Sequence, residues 1–167
     1  MKNSTAIMEV ADDEQVARII SKEWLDGDFL MPQAFEFAFG ETYLSVNRIG
    51  VETYDADVKG FVESHPSFCF NNNTYQRALL KVREVRAAKV CYDGKPLLID
   101  VSVMPRAAYT KSHAGIFVQS AGRNVVFGRK IPAGVLPKGV SSEMILQQVQ
   151  WELRDMAVLQ ECEMIDA

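Results

Sequence analysis

No run of about 18 uncharged apolar residues occurs in this chain, which excludes a helix spanning a bilayer. The opening Met1-Lys2-Asn3-Ser4 leads only to a short apolar stretch, Ala6 to Ala11, broken by Glu9, too short and polar for the centre of a signal peptide. A cytoplasmic protein is therefore expected. Cysteine is scarce: Cys69, Cys91 and Cys162 are odd in number and widely spaced, the mark of reduced thiols rather than a disulfide framework. Without secretion, the glycosylation patterns at Asn3 and Asn72 carry no chemistry. There are two histidines, and the sequences Gly-x-Gly-x-x-Gly, Cys-x-x-Cys, His-Glu-x-x-His and Gly-x-Ser-x-Gly are absent, removing the usual signals for dinucleotide binding, zinc clusters, zincins and α/β-hydrolases. No cofactor is called for. His65 and Cys69 are four apart, but two ligands do not make a zinc site, so no metal is expected.

What is present is a chain of 167 residues, 48% apolar and 24% charged, enough for one domain with a sizeable core over residues 1–167. The net charge of −4 conceals a strong segregation. Residues 1–76 hold 5 Lys/Arg against 13 Asp/Glu, residues 77–140 hold 12 against 3, and residues 141–167 hold 1 against 6. A basic block between acidic flanks reads either as an anion-facing surface or as complementary packing of acidic helices on a basic sheet.

Asp12 and Gln15 have the form of a capping box, and Val16, Ile19, Ile20 and Trp24 follow at helical spacing, predicting a helix over residues 13–25 ended by Gly27. Phe35, Phe37 and Phe39 alternate with Ala34, Glu36 and Ala38; with the β-rich run Thr42 to Ile49 they predict a hairpin whose phenylalanines face the core. Asp55 is the expected cap of a short helix carrying Val58, Phe61 and Val62, which His65-Pro66 terminates. Residues 67–76 read as a polar loop. Arg77 to Val90 suits a helix by propensity, yet the alternation of Leu80 and Val82 with Lys81 and Arg83 favours a strand. Asp93-Gly94 marks a type I′ hairpin, and Leu97, Ile99, Val101 and Val103 form the clearest strand. Strands at Ala114–Gln119 and Asn124–Gly128 flank Ser120 to Arg123, and a Pro/Gly-rich loop runs from Ile131 to Val140. From Ser141 to about Met164 the pattern is helical, with Ile145, Val149, Leu153, Met156 and Leu159 in one stripe and Trp151, Val158 and Cys162 away from it. The fold expected is α+β: a mainly antiparallel sheet of about six strands covered by an N-terminal helix, a short middle helix and a long C-terminal helix.

His113, in Tyr109-Thr-Lys-Ser-His-Ala-Gly-Ile-Phe117, is the histidine not pinned against a proline and the best candidate for acid/base work, although a lone histidine is more often structural. The candidate anion-binding residues are Arg48, Arg77, Lys81, Arg83, Lys111, Arg123 and Lys138. Arg77, Lys81 and Arg83 share strand parity and would form a basic ridge; only Tyr75, Tyr92 and Tyr109 are near for stacking, a weak nucleic-acid signal. Gly134 to Gly139 has phosphate-loop spacing, but Val140 stands where that loop needs lysine; Lys138 with Ser141 or Ser142 at a helix start is the residual idea, against an ordinary serine cap. Arg48 either meets solvent, pairs with an acid such as Asp100, or holds an anion.

Three stretches, Leu44-Ser-Val-Asn-Arg48, Leu80-Lys-Val-Arg-Glu-Val-Arg86 and Ser112-His-Ala-Gly-Ile116, resemble patterns in small uncharacterised bacterial proteins. That resemblance spans about a tenth of the chain, implies a bacterial or phage origin, adds weight to Arg48 and His113, and brings no activity with it. The expected function is a non-catalytic binding or assembly protein, a homodimer through its C-terminal helix, facing an anionic ligand or nucleic acid. The alternative is a small enzyme acting on a phosphate-bearing nucleotide or RNA, with His113 as acid/base and Arg48, Lys111 and Arg123 as anion holders. A third reading is a subunit that works only within a larger complex.

Overall fold

A computed structural model describes residues 8–106 and 110–165. The expectations for Ala6 and Tyr109, and the Asn3 pattern, lie outside the described residues. The chain folds as α+β around a seven-stranded sheet whose pairings are all antiparallel. Its strands are β1 (Gln15–Ile19), β4 (Leu44–Arg48), β5 (Thr74–Lys81), β8 (Asp100–Pro105), β9 (His113–Ser120), β10 (Arg123–Asn124) and β11 (Val158–Glu163). Two small hairpins stand apart, β2 (Leu25–Asp26) with β3 (Phe29–Leu30), and β6 (Cys91–Tyr92) with β7 (Lys95–Pro96). The helices are α1 (Tyr54–Ser64), α2 (Val82–Arg86) and α3 (Ser142–Met156).

β1 lies between β4 and β5, and β9 pairs with β8 along one edge and with β4 and then β10 along the other. A strand in that inner position is buried on both faces. Val16 faces a core shared with Leu44, Val46, Leu80, Val103 and Ile116, which α3 covers with Ile145, Val149 and Leu153. Ala17 and Ile19 face a second, smaller core where α1 packs Tyr54, Val58 and Val62 beside Tyr75 and Met164.

This double burial corrects the expected helix over residues 13–25. Apolar residues needed on both faces of a strand crowd together, and over so few positions their spacing imitates a helix. The capping-box residues serve other ends: Asp12 accepts from Arg86 at 2.7 Å, and Gln15 opens β1 opposite Lys81. The hairpin expected at Phe35 is instead a 3-10 turn, Pro32–Phe35, entered through its proline. Phe35 and Phe37 are buried as expected, but Phe39 is 72% exposed beneath the Arg129 guanidinium, 3.8 Å from its ring centroid. The ambiguous stretch from Arg77 takes both conformations in turn, β5 to Lys81 and α2 thereafter. The expected long C-terminal helix stops at Ala157, whose ψ of 141° is extended, so Val158 and Cys162 belong to β11 rather than to a second helical strip.

Other expectations hold. α1 ends at His65 before Pro66 as expected, but its N-cap is Thr53, and Asp55, expected as the cap, falls in its first turn. The two tight turns have left-handed residues where the type I′ geometry needs them, Asp93 and Gly94 at φ 53° and 74°, Ala121 and Gly122 at 52° and 77°. Ser141 caps α3 by accepting from the Met144 amide at 3.2 Å. Among the described residues no helix is long and apolar enough to cross a membrane.

Candidate functional site

Alternation along β4 places Tyr43, Ser45 and Asn47 on the sheet face that α1 covers, and the register sets Ser45 opposite Gly115 and Asn47 opposite His113. His113 therefore sits diagonal to Ser45 on the same face. Its Nε2 lies 3.0 Å from Ser45 Oγ. Tyr43 closes the row, its ring centroid 5.9 Å from that of His113 and 5.3 Å from that of Phe117 in a stacked pair.

A cleft of about 280 Å³ opens over this row, lined by Ser45, Asn47 and His113 below and by Trp24, Phe61 and Phe68 around. The aromatic wall is continuous: Trp24 meets Phe68 edge-on with centroids 5.6 Å apart, and Phe68 meets Phe61 at 4.8 Å. Arg18 supplies the cationic wall. Its Nε donates to the Ala34 carbonyl at 2.9 Å, its Nη1 donates to the Ser45 carbonyl at 2.8 Å, and its guanidinium lies 5.0 Å from the Trp24 ring centroid. Among the described residues no carboxylate stands within ion-pair distance of it. Burial pulls its pKa down to about 10, against the partial compensation of the more distant Glu41, and it remains a cation at neutral pH.

Two further polar groups are held rather than offered. Asp57 on α1 accepts from Ser112 Oγ at 2.6 Å, from the Ser112 amide at 3.1 Å and from Thr53 Oγ1 at 2.8 Å, while Asn47 Nδ2 donates to Ser112 Oγ at 2.9 Å. This chain ties β4, α1 and the start of β9 together and fixes the backbone on which His113 stands. Burial, the largest influence, lowers the His113 pKa; the Arg106 main chain and the Asp57 charge oppose that, and the Arg106 charge adds to it. The imidazole is accordingly neutral at pH 7 and can accept a proton.

Of the residues singled out from sequence, His113 lies in the cleft and the anion candidates are dispersed. Arg48 is buried on the opposite face, donating to Glu14 Oε1 and Oε2 at 2.9 and 2.7 Å and to the Met8 and Glu9 carbonyls. Arg77 is held by Gln160 and by the Tyr54 hydroxyl at 3.0 Å. Lys111 pairs with Glu52. Lys81 and Arg83 fall on successive elements, a strand and a helix, so their shared parity does not build a ridge; both are exposed, as are Arg123 and Lys138. Lys138 lines a shallow groove with Ser141 and Ser142, whose hydroxyls are engaged by Met144 and Ile131. The three cysteines are unpaired and half-buried, and among the described residues no cluster of His, Cys, Asp or Glu could hold a metal ion.

Sequence reasoning missed Arg18, Trp24, Ser45 and the two phenylalanine walls. Arg18 carried a usable signal: a single cation inside an otherwise apolar run from Val16 to Ile20. Comparison with family models, with curated proteins and with solved structures returned no match.

Proposed function

We propose that the protein binds a small organic anion in this cleft, an apolar or aromatic body lying between Trp24, Phe61 and Phe68 with its charged group against Arg18. The observation that carries the reading is Arg18 itself. A guanidinium held by two main-chain carbonyls in a cleft wall, with no carboxylate at ion-pair distance among the described residues, leaves a charge that an incoming anion neutralises. The volume of about 280 Å³ falls just below the usual range of ligand pockets, about 300 to 1,000 Å³, so the ligand is compact. This keeps the expectation of an anionic partner and moves it from the basic block to the cleft.

Calorimetric titration with phenyl phosphate, against benzyl alcohol as the neutral analogue, tests it. The anion is expected to bind and the neutral analogue not, with Arg18→Met weakening binding about tenfold or more, the worth of a charge-assisted hydrogen bond. Arg18→Lys, which keeps the charge, serves where loss of the carbonyl contacts unfolds the first variant. Equal affinity for the two compounds would overturn the reading.

The enzymatic reading is favoured by the position of His113 in the same cleft. Arg48 and Lys111 are paired with Glu14 and Glu52, neither they nor Arg123 line the cleft, and in that reading Arg18 replaces them as the anion holder. A homodimer through the C-terminal helix is a separate proposal, supported by Trp151, which is 50% exposed on α3. A monomer's molar mass in light scattering removes it.

A further inference from the structure

We propose that Ser45 is a nucleophile with His113 as its general base, and that the cleft hydrolyses small carboxylic esters. The inference rests on the cleft being a ligand site and goes beyond it by assigning a reaction. Three geometric facts carry it. Ser45 Oγ and His113 Nε2 are within hydrogen-bond reach at 3.0 Å, the contact a serine needs to lose its proton as it attacks. Both side chains line the cleft, so a bound ester carbonyl meets the hydroxyl. The base is held in place, its ring packed against Tyr43 with centroids 5.9 Å apart and its strand start pinned through Ser112 to Asp57. A nucleophile, a base and a group that orients the base are the components such chemistry requires.

The steps balance with water as the only co-reactant. Ser45 Oγ attacks the carbonyl carbon, its proton passes to His113 Nε2, and the carbonyl π pair moves onto oxygen. That oxygen re-forms the double bond and expels the alcohol, which takes the proton from the imidazolium, leaving an acyl-serine. Water then attacks the acyl carbon as the same nitrogen takes its proton, and the serine leaves with that proton as the acid is released. Arg18, bound to the Ser45 carbonyl, puts positive charge beside the nucleophile's strand and suits esters that carry an anionic group.

Among the described residues, the charged and titratable groups around His113 include Asp57 from α1, Arg106 after β8, Tyr43 before β4 and Arg18 from β1. Since the ring must be neutral to act, the rate of acylation should rise with pH to a plateau, its midpoint below the ordinary histidine value of 6.5.

The test is covalent capture with an alkyl fluorophosphonate, in which a serine oxygen displaces fluoride from phosphorus, read by peptide mass spectrometry. A single adduct on Ser45, lost in Ser45→Ala and slowed about 10²-fold or more in His113→Gln, is the expected result. Turnover of p-nitrophenyl acetate should fall in the same two variants. Adducts spread over several serines, or Ser45 labelling indifferent to both His113→Gln and pH, overturn the proposal; the pH profile of the unmodified protein decides it should His113→Gln fail to fold. Titration of Ser45→Ala with phenyl phosphate separates the two readings. Retained binding with no labelling of the parent protein removes the nucleophile and keeps the anion site, whereas a parent protein that binds nothing and labels nowhere removes both.

Discussion

A methyl group at Gly115 would lie 2.7 Å from Tyr43 Cδ2 and 2.8 Å from Phe117 Cε1, inside the closest approach of real side chains. The glycine is there for that contact rather than for backbone freedom: it is the gap that lets Tyr43 and Phe117 stack across the strands next to Ser45. Gly115→Ala is therefore expected to cost about 1–3 kcal/mol through overpacking, read as a lowered urea midpoint at unchanged slope. Because the ring that must shift also touches His113, the same variant should disturb the cleft. Residues of this kind are legible only in part. Gly115 reads as a strand glycine without its neighbours, and Ser45 reads as one polar position of an alternating strand. Arg48 is legible as a charge in a compact strand, but its partner is Glu14 rather than Asp100.

Among the elements, α3 shows how a stripe becomes a packing face. Ile145, Val149 and Leu153 recur at intervals of four, and all three are buried against the sheet. Leu153→Ala should cost about 2–5 kcal/mol, the lost transfer energy plus the cavity it leaves, whereas Trp151→Gln on the outer face should stay within about 0.5 kcal/mol. Thermal unfolding of the two variants side by side checks both; a large loss from Trp151 would mean that the outer face is covered. Turns and helix ends were written locally, by Asp93-Gly94, by His65-Pro66 and by Ser141, since each depends on the conformational preference of one or two residues. The helix-or-strand choice at residues 13–25 and beyond Met156 was not local. β1 is a strand because β4 and β5 offer hydrogen bonds on both sides, and β11 is one because β5 offers six residue pairs from Val158 to Glu163. A stretch whose apolar spacing suits either form adopts the one its neighbours can pair with.

For the whole molecule, the charge segregation resolves partly into contacts between segments. Among the described residues, three cations of the basic block pair with acids of the first 76 residues: Arg86 with Asp12, Lys111 with Glu52 and Arg129 with Glu36. The pairs are largely exposed, so they orient the packing more than they stabilise it. The pH dependence of global stability in the acid-to-neutral range follows from Glu14 and His113, two part-buried groups whose pKa is lowered. Burial raises the Glu14 pKa, but its hydrogen bonds from Arg48 and the Ala11 amide and the nearby cations outweigh that and hold it below its ordinary 4.5. Its contribution is complete above that value and is lost on acidification. The depressed pKa of His113 acts in the same sense, since the unfolded chain takes up a proton near 6.5 before the native ring does. Stability should thus climb with pH through the acid range and level off above about 6.5. Urea titrations from pH 4 to 8 check this, and His113→Gln should remove the upper part of the slope; an unchanged slope in that variant would contradict a buried neutral ring.

Composition, periodicity and turn chemistry by themselves determined the α+β class, the strands at Leu44, Val101 and Ala114, the helices at Asp55 and Ser141, and His113 as the histidine to watch. These follow from interactions within a few residues of chain. The tertiary structure alone decided which residues share a cleft. Ser45 and His113 are 68 positions apart, and Arg18 reaches the Ser45 carbonyl across 27. Only the register of β4 on β9 and the place of β1 beside β4 bring them together, and register is set by the fit of whole strands and the faces they bury rather than by any one residue.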